Sequence, residues 1–202
     1  MSTFGNIYSD YYDLLYHDKN YDKEADYINT LIKKYSSNCA KILDLGCGTG
    51  IHDEILSKNG YKIHGVDLSE EMLFKAKEKS KVNTNLSFEK ADITNFNNNE
   101  KYDVVISLFH VISYQITNSQ LINSLKTAYN HLEEGGVFIF DFWYGPAVLN
   151  DQPVTRIKRV SNDKIKVTRL AEPEMFPKEN RVIVNYEIFL ENLKNGNIST
   201  FN

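Results

Sequence analysis

The sequence predicts an α/β fold with a doubly wound, mainly parallel sheet, and three observations support this prediction. In the first 142 residues, short apolar runs typical of buried strands alternate with helical stretches at a spacing of about 10–15 residues. One of these runs leads directly into the glycine-rich segment DLGCGTG, Asp44–Gly50. After Pro146 the sequence alternates apolar and polar residues with no long helix between the runs, which predicts an antiparallel β appendage.

The helices are predicted from apolar spacing and from their end signals. Ala25, Ile28, Ile32 and Tyr35 fall on one face of a helix over 21–35. Two further helices are predicted over 51–58 and 70–79. The residues that mark the fourth helix, which is expected to end at the glycine pair 135–136, are Leu121, Leu125, Ala128 and Leu132.

The strands are predicted from short apolar runs bounded by turn residues. Five of them belong to the parallel sheet and three to the appendage. The predicted ranges are 41–45, 62–67, 86–90, 102–108 and 137–142, followed by 154–160, 164–170 and 181–191. The chain therefore divides into an N-terminal helical lid (1–38), an α/β core (39–148) and the antiparallel β appendage (149–202).

Composition excludes several classes of function. The chain has 202 residues and a net charge of −4, and it has no run of more than two basic residues, so nucleic acid is not an expected partner. We find no signal peptide and no apolar stretch long enough for a membrane span, and therefore expect a cytoplasmic protein. The two cysteines lack metal-ligand spacing, and no metal site is predicted. The expected partner is a small molecule, and the expected state is a monomer or a homodimer.

The glycine loop does not fit a dinucleotide or an ATP site. The pattern G-x-G-x-x-G would require glycine at position 51 or 53, where the chain has Ile51 and Asp53. A Walker loop would require a lysine after Gly50. A nicotinamide-dependent oxidoreductase is therefore a weak alternative.

Several segments in residues 40–142 together resemble the class I S-adenosylmethionine-dependent methyltransferases, which have a Rossmann-like fold. The first two motifs are LDLGCGTG (43–50) and GVDLS (65–69). The resemblance continues with KADI (90–93), YDVV (102–105) and LEEGG (132–136). It implies S-adenosyl-L-methionine as cofactor and S-adenosyl-L-homocysteine as product.

The resemblance also implies which residues bind this cofactor. Asp44 is expected to bind the ammonium group, the backbone N–H groups of Gly46, Cys47 and Gly48 the carboxylate, and Asp67 both ribose hydroxyls. The remaining predicted cofactor contacts are Tyr16 of the lid, Leu68 and Met72 on the adenine faces, Asp92 and Ile93 at its polar edge, and Leu108.

The acceptor site is expected over the carboxyl ends of the strands. His110 follows strand four and is the candidate general base, although an imidazole that only contacts cofactor or backbone fits equally well. Trp143 and Tyr144 follow strand five and are candidate pocket walls, with core packing as the alternative. Tyr8 and Tyr12 belong to a tyrosine-rich segment similar to the lid of enzymes that N-methylate nucleotide-linked amino sugars, although these tyrosines fit a packing role as well.

We therefore predict a methyltransferase that acts on N or O of a polar small molecule, such as a nucleotide-linked sugar or a precursor of surface polysaccharide. A non-catalytic module that binds S-adenosylmethionine is the alternative. The family's sheet has seven strands, and nothing after Glu191 resembles its last helix and two strands. We expect either a truncated chain or a short family member, with an exposed edge on strand five.

Overall fold

The computed structural model describes residues 11 and 14–201. They fall into two compact units. The first unit is Asn20–Phe142, and the second combines the chain from Trp143 onward with the described residues before Asn20. The helix over 21–35, predicted as part of a lid, thus belongs to the unit that contains the parallel sheet.

The first unit is built on a five-stranded parallel sheet in the order β3-β2-β1-β4-β5, which confirms the doubly wound α/β prediction. Its central strands, β1 and β4, are almost entirely buried, as expected for a sheet that is covered on both faces. The strands are β1 (Lys41–Leu45), β2 (Lys62–Asp67), β3 (Leu86–Lys90), β4 (Tyr102–Ser107) and β5 (Leu132–Phe140).

Four helices belong to this unit. The helix α1 (Tyr21–Tyr35) precedes β1, and three helices connect strands of the sheet: α2 (Ile51–Ser57), α3 (Glu70–Val82) and α4 (Asn118–His131). Their starts have side-chain caps where the sequence provides them. The Asn20 side chain accepts a hydrogen bond from Lys23 N, and that of Ser69 accepts one from Met72 N. Thr117 and Gln120 form a reciprocal capping box.

Alternate residues of the central strands supply two separate apolar clusters, one on each face of the sheet. Ile42 and Ile106 pack with residues of α1 and α3, whereas Leu43, Leu45 and Val105 pack on the other face. Because side chains alternate along a strand, Asp44 points to the same face as Ile42. The buried carboxyl group of Asp44 therefore lies on the side of the sheet covered by α1 and α3.

Three details of the predicted helices are wrong. Tyr35 is exposed, because burial on α1 ends with Ile32. In α4 the exposed Leu125 does not mark the buried face, which consists of Ser124, Thr127, Ala128 and His131. Leu132 is not helical, because it pairs with Tyr102 as the first residue of β5. The strand continues through the glycine pair 135–136, which was expected to end the helix.

The second unit contains an antiparallel sheet in the order β6-β7-β8-β9, which confirms the appendage. Its strands are β6 (Arg156–Ser161), β7 (Ile165–Phe176), β8 (Arg181–Asn192) and β9 (Ile198–Phe201). Its core consists of Tyr11, Leu15, Val167, Ile188 and Leu190. The short helix α5 (Gly145–Asn150) and strand β9 were not predicted. None of the helices in the described residues has both the length and the apolar character that a membrane span needs.

Candidate active site

The glycine loop between β1 and α2 has a left-handed backbone at all three of its glycines. The φ angles of Gly46, Gly48 and Gly50 are +98°, +56° and +70°, a region that side chains other than glycine rarely adopt. A Cβ atom added to Gly46 would lie 2.5 Å from Cγ1 of Val111, and one added to Gly50 would lie 2.9 Å from Cζ of Phe88. Packing inside the protein thus explains two of these glycines.

Gly48 differs from the other two glycines because open space surrounds its missing side chain. A Cβ atom built on Gly48 would have no protein atom within 4 Å. Its backbone N–H donates to Oδ2 of Asp67, at 2.9 Å. Gly48 is therefore the point of the loop at which a ligand can approach the backbone most closely.

Two other backbone donors of the loop are also bonded within the chain. The N–H groups of Gly46 and Cys47 both donate to the carbonyl oxygen of Val66, at 2.8 and 3.0 Å. A ligand carboxylate was predicted to bind the N–H groups of residues 46–48. In this conformation that contact would require at least one of these donors to change its partner.

Asp67 joins the glycine loop to the start of α3. Its Oδ2 accepts from Gly48 N, and its Oδ1 accepts from Ser69 N at 2.8 Å. The residue is half-buried at the carboxyl end of β2. Each carboxylate oxygen can accept a second hydrogen bond, so both oxygens retain a position for a hydroxyl of a ligand.

Two buried carboxyl groups lie at the ends of the glycine loop. Asp44 on β1 is 3% exposed and Asp53 on α2 is fully buried. Burial, reinforced by the nearby charge of Asp53, raises the pKa of Asp44 well above its usual range. Burial also raises the pKa of Asp53 to about 7, although a hydrogen bond with Asp44 and the charge of Lys79 oppose this rise. The pair therefore retains a proton near neutral pH.

The residues predicted to surround the adenine occupy different environments. Leu68 is exposed, whereas Met72, Ile93 and Leu108 are buried, and Ile93 and Leu108 belong to the two apolar clusters. Asp92 is half-buried, and its Oδ1 accepts from Thr94 N in a tight turn after β3. Of these side chains, only Leu68 presents a large apolar surface to solvent, next to Asp67.

The carboxyl end of β4 has a strained backbone. Phe109 and His110 are consecutive non-glycine residues with φ of +64°, a combination that is uncommon and often accompanies function. The backbone N–H of His110 donates to Oδ1 of Asp141 at 2.8 Å. The imidazole Nδ1 of His110 lies 3.5 Å from Oδ2 of the same carboxylate. Sequence reasoning missed this role of Asp141, although an acid directly after a strand of the sheet was a usable signal.

Other predicted site residues lie in the second unit or outside the described residues. Tyr8 and Tyr12 lie outside the described residues. The hydroxyl of Tyr16 accepts from Arg169 Nη1 at 3.1 Å, and Trp143 and Tyr144 are exposed. The roles of Tyr16, Trp143 and Tyr144 toward a ligand stay predictions.

The described residues give no support to thiol or metal chemistry. Burial and the charges of nearby carboxylates raise the pKa of the Cys47 thiol well above its usual range, so this thiol is a poor nucleophile. Across the described part of the chain, no group of three or more His, Cys, Asp or Glu side chains is arranged to hold a metal ion.

Residues 42–136 match the family described as methyltransferase domain. One curated relative is a dTDP-3-amino-3,4,6-trideoxy-alpha-D-glucopyranose N,N-dimethyltransferase from Streptomyces venezuelae. It is 31% identical over 146 residues, which are 71% of this chain and 60% of the relative. The chain thus spans less than two thirds of that relative's length.

Solved structures resemble the chain over nearly its whole length. The crystal structure of Streptomyces venezuelae DesVI has a TM-score of 0.81 at 26% identity and covers 96% of this chain and 80% of its own. The structure of an S-adenosylmethionine-dependent methyltransferase from Clostridium acetobutylicum has a TM-score of 0.76 at 27% identity and covers 99% and 79%.

Proposed function

The chain belongs to the S-adenosylmethionine-dependent methyltransferases, and on this premise we propose that it transfers a methyl group to a nitrogen of a sugar-linked small molecule. The observation that carries the proposal is the arrangement of Asp67 and Gly48. A carboxylate with two remaining acceptor positions lies beside the one loop glycine that has open space around it.

The residues at the glycine loop fit the chemical groups of S-adenosylmethionine. Asp67 provides acceptors for the two ribose hydroxyls, and the exposed Leu68 provides an apolar surface for the adenine. Asp44 has a carboxyl oxygen, Oδ1, that no donor of the described residues reaches, and a buried acceptor of this kind suits an ammonium group. The site thus has hydrogen-bond acceptors for the ribose hydroxyls of the cofactor and a buried carboxyl group for its ammonium group.

The residues at the ends of β4 and β5 fit the handling of a proton. When bound, S-adenosylmethionine supplies an electrophilic methyl group, so the chain itself needs no nucleophile. An amine attacks only in its neutral form, and we assign the uptake of its proton to His110. Asp141 lies beside the imidazole, with Oδ2 3.5 Å from Nδ1, where it can orient the ring.

The relatives support the acceptor class that we propose. The curated relative from Streptomyces venezuelae is named for methylation of an amino group on a nucleotide-linked sugar. A relative from Saccharopolyspora spinosa with a similar name matches 93% of this chain at 25% identity. An amino sugar attached to a nucleoside diphosphate is therefore the acceptor that we propose for this chain.

Calorimetry and a turnover assay test the proposal. We expect S-adenosylhomocysteine and S-adenosylmethionine to bind with one-to-one stoichiometry, and NADH not to bind. With a dTDP-linked amino sugar as acceptor, S-adenosylhomocysteine should be released in proportion to the methylated sugar. Binding of the cofactor without release for a panel of such acceptors would favour the non-catalytic alternative, and binding of NADH alone would overturn the assignment.

A further inference from the structure

Asp53 is the most completely buried charged side chain of the described residues that the proposed function leaves unused. It lies in the first turn of α2 and has no solvent-exposed surface. No donor of the described residues reaches either of its carboxyl oxygens. An ionised carboxylate in such a place would lack the hydrogen bonds that normally compensate for burial.

The neighbour that explains this situation is Asp44. The carboxyl groups of Asp53 and Asp44 lie within hydrogen-bonding reach of each other. Two carboxylates in contact cannot both ionise in a buried site, and they are stable as a pair that shares a proton. The hydrogen bond available to Asp53 within the described chain is therefore the one that this shared proton makes.

The other charged groups nearby do not remove the need for this proton. Asp67 adds negative charge next to Asp44, and the thiol of Cys47 stays neutral. On the α3 side, Lys79 acts on Asp53 and also lies 3.9 Å from Glu54. On the α1 side, Glu24 is bonded to His52. Lys79 is thus the cation that favours ionisation of Asp53, and it is shared with another acid.

From this geometry we infer that Asp53 is a further positioning residue of the cofactor site: it shares a proton with Asp44 in the free protein, and the pair releases this proton when the α-ammonium group of the ligand binds beside Asp44. The inference rests on the proposed function, because it requires an ammonium group at Asp44. One positive charge enters the site and one proton leaves to the buffer, so the net charge of the buried site is unchanged. Asp53 thereby holds the carboxyl group of Asp44 in place before the ligand arrives.

Proton release is measurable without enzyme turnover. The full chain is titrated with S-adenosylhomocysteine at pH 6.5 in two buffers whose ionisation heats differ, and the difference in binding heat gives the number of protons released. We expect about one proton per ligand, and an affinity that rises by up to ~10-fold per pH unit between pH 6 and 7. Binding with release of fewer than ~0.2 protons overturns this inference only, whereas failure to bind at any pH also overturns the proposed function.

Two variants assign the proton to its source. Asp53→Asn keeps the shape of the side chain but cannot take part in the shared-proton pair, so it should release less than half as many protons and show less than ~2-fold change in affinity per pH unit. Glu78→Gln removes an exposed carboxylate of α3 that pairs with Lys81, and it should behave like the wild type. Release by Asp53→Asn equal to that of the wild type overturns the inference. If Asp53→Asn fails to fold, the wild-type titration remains decisive.

Discussion

Asp67 has two roles that cannot be separated in the folded chain. Inside the protein, its two oxygens accept from the backbone N–H groups of Gly48 and Ser69, and they fix the glycine loop against the start of α3. Toward a ligand, the same oxygens supply the acceptors that we assign to the ribose. Any change at Asp67 therefore affects the shape of the loop as well as the contact with the cofactor.

Asp67→Ala should weaken the binding of S-adenosylhomocysteine by at least ~10-fold, because it removes charged hydrogen bonds worth about 1.5–3 kcal/mol. Calorimetry measures this loss directly. Glu78→Ala, which removes an acid from the exposed side of α3, is the control and should leave the affinity unchanged. An Asp67→Ala variant that binds as tightly as the wild type would contradict the ribose assignment.

His110 requires a variant that respects its backbone. Its φ of +64° strains alanine, whereas asparagine tolerates this region. His110→Asn should therefore keep the turn and lose the base, and turnover should fall by about 100-fold or more at nearly unchanged cofactor affinity.

Asp141→Asn serves as the comparison for this experiment, because it keeps the acceptor for His110 N but removes the charge beside the imidazole. We expect a smaller loss of turnover than in His110→Asn, because the imidazole is still present. A wild-type rate in His110→Asn would refute the role of His110 as base.

At the level of residues, the sequence predicted the positions of Asp44, Asp67 and His110 at strand ends because motif spacing places them there. It did not predict Asp53 or Asp141. The roles of these two residues depend on which carboxyl groups or imidazoles meet across different elements. Sequence spacing does not determine such contacts, because they arise only when α2 packs against β1 and when β5 pairs with β4.

The element that connects the loop to the proposed base is the turn of 3₁₀ helix Val111–Tyr114. Val111 packs against the bare Cα of Gly46, so the turn that follows His110 lies directly on the glycine loop. Ser107 strengthens this arrangement, because its buried hydroxyl donates to the carbonyl oxygen of Leu45 at 2.7 Å. The position of His110 thus depends on the absence of a side chain at Gly46.

Gly46→Ala and Gly60→Ala form a matched pair that tests this dependence. Their φ angles are +98° and +93°, but a Cβ atom at Gly60 would have no neighbour within 4 Å. Gly60→Ala should cost about 1–2 kcal/mol through backbone strain alone. Gly46→Ala should cost about 1–3 kcal/mol more, because it overpacks Val111.

Denaturant unfolding measures both costs, and Val111→Ala added to Gly46→Ala should recover part of the loss. Equal destabilisation by the two single substitutions would show that the contact with Val111 is unimportant.

At the level of elements, the predictions were most accurate where local signals were strong. The caps at Asn20 and Ser69 and the apolar runs of β1 to β4 specify their elements with little help from tertiary contacts. The predicted end of α4 was wrong because Leu132 fits two patterns equally well: the apolar spacing of the helix and the first residue of a strand. Its pairing with Tyr102, which is a tertiary contact, decides the matter. β9 was missed because its four residues are mostly exposed and have no apolar pattern.

For the whole molecule, the buried acid pair makes stability depend on pH. The pKa of Asp53 is raised from 3.8 to about 7 by burial. A folded-state pKa above the unfolded value means that its contribution to stability is complete below pH 3.8 and is lost as the pH rises toward 7. The free protein therefore becomes less stable across this window, because the unfolded chain ionises Asp53 whereas the folded chain must keep this carboxyl group protonated.

The difference in unfolding free energy between Asp53→Asn and the wild type should accordingly grow from pH 5 to pH 7, by on the order of 2 kcal/mol. For a chain of this size that corresponds to about 4–8 °C in the midpoint of thermal unfolding, with the variant more stable at the higher pH. Since an ammonium group beside Asp44 compensates for the ionised pair, saturating S-adenosylhomocysteine should stabilise the wild type more at pH 7 than at pH 5. A gap between the variant and the wild type that stays constant with pH would show that Asp53 is already ionised in the free protein. The buried pair would then need another source of compensation than a shared proton.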